Sequence, residues 1–250
     1  MSLDNILLKI EYDGSDFSGW QRQPNHPTIQ ASIEDVLRKF TGKKVVVYGA
    51  SRTDSGVHAR GQIANFEVEP KMAPERWAPF LNSNLPRSIR IIESKRVPER
   101  FHAQKMARSK IYEYRIMQRS CPSALDKAIE IHPAPLNWEA IRKAMPYFVG
   151  EKDFKAFQGA RSSVLTTVRT IYRFDLFEEG KGVYRFEIEG NGFLKQMVRA
   201  IVGTLLEVGT GKKKPEEIPD IIESRDRRLA GHTAEPRGLC LVRVNYSQPY

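Results

Sequence analysis

Two hydrophobic periods run through this chain. Residues 6–12, ILLKIEY, read as a strand, and residues 61–68, GQIANFEV, alternate so that Ala64, Phe66 and Val68 share one side. Between them Ile29, Ile33, Val36, Leu37 and Phe40 fall at i, i+4, i+7, i+8 and i+11. That spacing predicts a helix starting at Thr28 and stopping at Gly42. The β-branched run 44–48, KVVVY, predicts a short buried strand. A helix near 74–84 and a strand near 88–96 complete a β-α-β-β-α-β order, the split ferredoxin-like arrangement.

The second half repeats the theme. Strand 110–117, KIYEYRIM, places Tyr112, Tyr114 and Ile116 on one face. A helix near 137–148 precedes two strands, 167–178 and 183–189, joined as a hairpin around Glu179–Gly182. Phe193–Val208 is the strongest helical pattern, with Leu194, Met197, Val198, Ile201, Val202 and Leu205 in one arc and Arg199 on its flank. A flanking arginine either snorkels to solvent or reaches a buried carboxylate. A helix near 215–224 and a strand at 239–246 close the chain. The pattern predicts an α+β protein of two halves with mostly antiparallel sheets, 1–105 and 106–250.

Composition adds one strong inference. Of 250 residues, 40 are Lys or Arg and 30 Asp or Glu, a formal charge of +10 spread along the chain. Such a surface favours a polyanionic partner, and with no basic amphipathic helix in view nucleic acid is favoured over membrane. No apolar run approaches the ~18 residues of a membrane span. Two distant cysteines, Cys121 and Cys240, suit a reducing, cytoplasmic compartment.

Candidate chemistry narrows quickly. VGTGKKK at 208–214 lacks both the first glycine and the Ser/Thr of a phosphate loop, so its glycines are expected to cap the preceding helix. The five histidines are scattered, without zinc spacing, and no G-x-S-x-G occurs. GASRTDSGVHARG at 49–61 stands out, because Asp54 sits between an arginine and Ser55-Gly56 straight after an apolar run. From the residues alone a turn is the simpler reading. Tyr112 is likewise either core or, on an RNA-binding sheet, a base-stacking platform.

Five stretches in order, YDGSDFSGWQRQ (12–23), GASRTDSGVHARG (49–61), KIYEYRI (110–116), GNGFLKQMVRAIVGTLLEVGTGK (190–212) and PRGLCLVRVNY (236–246), closely resemble the bacterial tRNA pseudouridine synthase A family. The resemblance implies two ferredoxin-like halves sharing a continuous, mostly antiparallel sheet, helices on one side and a catalytic cleft between them. It implies isomerisation of uridine to pseudouridine at positions 38, 39 and 40 of the tRNA anticodon stem-loop, without cofactor or metal, by a cytoplasmic homodimer. Asp54 matches the family's nucleophile, Arg199 its carboxylate partner and Tyr112 the tyrosine that stacks on the target base. Arg52 matches the RNA-contacting arginine and Leu239 a pocket leucine. One departure is Lys152-Asp153-Phe154, where many relatives carry a histidine-aspartate pair. The competing expectation is a non-catalytic RNA-binding protein on the same fold. It is disfavoured because a carboxylate opposes phosphate binding.

Overall fold

The computed structural model describes residues 3–121, 128–160 and 164–248. The chain divides into two compact units, Met1–Arg108 with Cys240–Tyr250, and Ser109–Leu239. In chain order come β1 (Asp4–Tyr12), α1 (Ile29–Thr41), β2 (Tyr48–Gly49), β3 (His58–Val68), α2 (Trp77–Asn84), β4 (Ile89–Val97) and β5 (Ala107–Gln118). They are followed by β6 (Glu130–His132), α3 (Trp138–Ala144), β7 (Gly150–Asp153), β8 (Val168–Gly180), β9 (Val183–Gly190), α4 (Met197–Gly209), α5 (Ile218–Ser224) and β10 (Leu239–Tyr246). Among the described residues no helix is long and apolar enough to cross a membrane.

In the first unit β4, β1 and β3 form an antiparallel sheet in that order, and β2 pairs with β3 through Tyr48–Asn65 and Gly49–Ala64. This is the β-α-β-β-α-β order expected. The chain's end corrects the expected division at residue 105. Cys240 and Leu241 pair in parallel with His58 and Ala59 of β3, which draws the last strand into the first unit. Helix α1 keeps its predicted limits: the Thr28 hydroxyl caps it by accepting from the Ala31 amide, and Gly42 ends it at φ 73°. Ile29, Ile33 and Leu37 are fully buried.

The strand expected at 44–48 shrinks to Tyr48–Gly49. The Val47 amide donates to Glu34 Oε1 at 3.0 Å, and its carbonyl accepts from Gln30 Nε2 at 3.1 Å. Side chains of α1 satisfy backbone groups that a neighbouring strand would otherwise have to meet. Val45 and Val47 are buried all the same, so the run supplies core without being sheet.

In the second unit β5, β9, β8 and β7 are antiparallel neighbours, and β6 runs parallel to β5. Tyr112, Tyr114 and Ile116 lie on the buried side of β5, as alternation predicts. Strands β6 and β7 are too short to show a period in the sequence. Helix α4 starts at Met197, four residues later than its apolar arc suggests. Gln196 has φ 60°, and the Lys195 carbonyl accepts the Gly159 amide at 2.8 Å. The segment before α4 is therefore a turn held by another loop. Its C-terminus closes as expected of the glycines at 209–211: the Lys212 amide returns to Glu207 O and the Gly211 amide to Val208 O, with Gly211 at φ 76°.

Candidate active site

Asp54 lies in the loop between β2 and β3. Its carbonyl accepts the Val57 amide at 3.2 Å, and Gly56 has φ 76°, so the residue does open a turn. That turn is immobilised from two sides. On one, the Tyr12 hydroxyl and Thr53 Oγ1 are 2.8 Å apart, and Gln62 Nε2 donates to Ser51 O at 2.6 Å while its Oε1 accepts the Ser51 amide at 3.2 Å. Tyr12, Thr53 and Gln62 are all buried. On the other, the Trp20 amide donates to Thr53 O, and the Gly56 amide and Ser55 hydroxyl to Phe17 O.

Gly19 makes that second contact possible. At φ 90° a side chain is strained there, and a Cβ would lie 2.5 Å from Thr53 O and 3.0 Å from the Asp54 carbonyl carbon. Asp54 itself is half-buried and Arg52 exposed. The loop thus presents a carboxylate on a backbone with little freedom, which is what a nucleophile or base requires. The turn and site readings of Asp54 are compatible.

The second unit carries Tyr112, Arg199 and Leu239. Tyr112 is buried on β5, with the Phe193 ring edge-on to it, centroids 5.3 Å apart. Arg199 on α4 does not snorkel. It is buried, and its Nε donates to Ala234 O at 2.7 Å while the Ala234 amide returns to Arg199 O at 3.1 Å. Leu239, also buried, opens β10 directly after a 3₁₀ turn at Pro236–Gly238.

The segment joining Arg199's partner to Leu239 is fixed on β5. The Tyr114 hydroxyl sits between the Glu130 carboxylate and Glu235 O, the latter at 2.7 Å, and the Glu235 amide donates to Glu130 Oε2 at 3.2 Å. Burial first, and then the Glu130 carboxylate, hold the Tyr114 phenol well above its ordinary pKa, so it stays a neutral donor. A Cβ at Gly238 would meet the Tyr114 ring at 2.7 Å.

The structure groups Asp54 with Arg52 on one loop of the first unit, and Tyr112, Arg199 and Leu239 within the second. Sequence reading missed the residues that hold them. Gln62 and Glu130 are buried polar groups without motif spacing, and Gly19 shows its role only once Thr53 lies against it. Phe193 was visible, inside a quoted motif, but as a helix residue. Among the described residues no cluster of His, Cys, Asp and Glu is placed to hold a metal ion.

Fold and loop together define an α+β protein that offers a rigidly held carboxylate. Residues 9–104 and 144–247 match the family model described as tRNA pseudouridine synthase. The chain is 48% identical over 243 residues to tRNA pseudouridine synthase A of Acetivibrio thermocellus, covering 97% of this chain and 99% of that one. It is 46% identical to tRNA pseudouridine synthase A of Caldicellulosiruptor bescii and 45% to tRNA pseudouridine synthase A 2 of Clostridium perfringens, with the same coverage. The chain belongs to the tRNA pseudouridine synthase family.

Proposed function

We propose that the chain isomerises uridine to pseudouridine in tRNA, at positions 38, 39 and 40 of the anticodon stem-loop, with Asp54 as covalent nucleophile. The observation that carries this is the clamped loop: Tyr12, Thr53, Gln62 and Gly19 spend buried hydrogen bonds and close packing on the backbone around one carboxylate. The reaction breaks the N1–C1′ bond, turns the base and joins C1′ to C5; the C5–H bond breaks, its proton leaves to solvent, and N1 gains a proton. No external group is transferred, so the chain's own side chains suffice and no cofactor enters the scheme.

Each remaining role follows from the same chemistry. A stem base must leave its stack, at a cost of a few kcal/mol. Arg52, exposed beside the nucleophile, holds a phosphate or the vacated space. Tyr112 is the flat partner of the flipped uracil, with Phe193 fixing the angle of its ring. A site that excludes water pushes a carboxylate towards its neutral form, and a guanidinium reverses that. This is the role of Arg199, whose planar fork suits a carboxylate better than a lysine does. Ala234 holds it through Nε, and Leu239 lines the base pocket. The working form is a cytoplasmic homodimer.

The test is tritium release from a tRNA transcript labelled as [5-³H]uridine, with wild type and Asp54→Asn in parallel. Release by wild type and a loss of roughly 10⁴-fold or more in the variant is expected. Tight, salt-sensitive tRNA binding without release from either protein would instead favour a binding module.

A further inference from the structure

One row of cations in the second unit is not used by the scheme above. Lys110 lies two residues before Tyr112 on β5, on the same face, and pairs with Gly190 of β9. Gly190 pairs in turn with Ile171 of β8, and Arg169 is two residues before Ile171. Gly190 has no side chain of its own between them, and the Phe193 ring packs over that position, 3.1 Å from where a Cβ would lie. Arg169 reaches over the turn that follows, because a Cβ at Gly192 would lie 3.7 Å from its Nε. Its Nη1 donates to the Thr166 and Val168 carbonyls at 2.9 and 2.6 Å.

Neither Lys110 nor Arg169 has an acidic partner within salt-bridge distance among the described residues. Glu189, next to Gly190, pairs with Ile111 across the sheet, on the opposite face from Lys110, and binds the Ser109 hydroxyl at 2.6 Å. Burial first, then the Arg169 charge, push the Lys110 ammonium below its ordinary pKa; burial does the same to Arg169. Lys152, the departure noted in the sequence, pairs directly with Arg169 and adds a third cation to the row. Half-buried cations gathered without a counter-charge are unfavourable in the protein alone and become favourable when an anion arrives.

We infer that Lys110 and Arg169, with Lys152 at the rim, form a phosphate site for the nucleotide adjoining the target uridine. This rests on Tyr112 being the platform for that uridine. Two residues of strand span about 7 Å, a separation comparable to that between a nucleotide's base and the phosphates of its own backbone. A base on Tyr112 therefore brings a backbone phosphate to Lys110. Bound there, the strand on one side of the flipped nucleotide is held on the second unit's own sheet.

The experiment compares wild type, Lys110→Gln, Arg169→Gln and Lys110→Arg, using an anticodon stem-loop RNA. Dissociation constants are measured across a range of salt, together with tritium release and thermal unfolding. Lys110→Gln and Arg169→Gln are each expected to raise Kd and KM by about tenfold and to lower the slope of log K against log salt by about 0.7 to 0.9. Lys110→Arg should restore the slope. Lys110→Gln should unfold at the same temperature as wild type or higher, because it removes a charge repelled by its neighbour. A residue that merely supports the fold would lower that temperature and leave the slope unchanged. Wild-type turnover with an unaltered slope and KM in both Gln variants overturns this inference alone. Failure of wild type to bind or convert the RNA overturns it together with the proposed function.

Discussion

Gly19 and Asp54 show how a single position shapes a site from thirty-five residues away. The Gly19 backbone lies against Thr53 and Asp54 in a conformation that L side chains rarely adopt. Gly19→Ala is expected to cost about 1–3 kcal/mol of stability. It should also lower kcat more than it raises KM, because the displaced atoms carry the carboxylate rather than the substrate platform. Denaturant unfolding and tritium-release kinetics measure the two effects separately; an unchanged kcat would show that the loop tolerates the shift. None of this is legible locally. Asp54 in the sequence is a turn residue like many others, and only the five motifs taken together single it out.

At the scale of elements, α4 illustrates a polar anchor at the end of an apolar helix. Its one half-exposed residue, Glu207, accepts the His232 amide at 3.0 Å, lies 3.3 Å from the His232 ring and 3.6 Å from Lys213 Nζ. Burial pushes the Glu207 carboxyl up, and the bonds from His232 with the Lys213 charge outweigh it, leaving the group below the usual 4.5. A carboxyl whose folded value is depressed adds stability above 4.5 that disappears as pH falls through the folded value. Glu207→Gln should therefore be less stable than wild type at pH 7, with the gap closing in acid; thermal melts from pH 7 to pH 3 check this. A gap independent of pH would assign the effect to packing. The apolar arc of α4 was plain in the sequence, but its first turn was not. Phe193–Gln196 carry helical spacing, yet the Lys195 carbonyl is held by Gly159, a residue thirty-six positions earlier.

At the scale of the whole molecule, the chain's end belongs with its beginning. Cys240 and Leu241 pair with β3, and the Tyr246 hydroxyl donates to Ala103 O at 2.7 Å. A chain ending at Leu239 should lose amide-exchange protection in β3 around His58–Ala59 and near Ala103, while β8 and β9 keep theirs. Equal loss in both units would mean that they unfold as one. The sequence by itself determined the type and order of the longer elements, the limits of α1 and the buried face of β5, because these follow from local periodicity and capping chemistry. Its motifs also determined the family, since five ordered matches constrain much of the chain. Only the tertiary structure decided that Val45 and Val47 are core without being strand, that Arg199 is buried on Ala234, and that Tyr12, Gln62 and Gly19 clamp the Asp54 loop. It alone set Lys110 beside Arg169. Each of these depends on a backbone or side-chain partner distant in the chain, and a period of two or 3.6 residues carries no information about such partners.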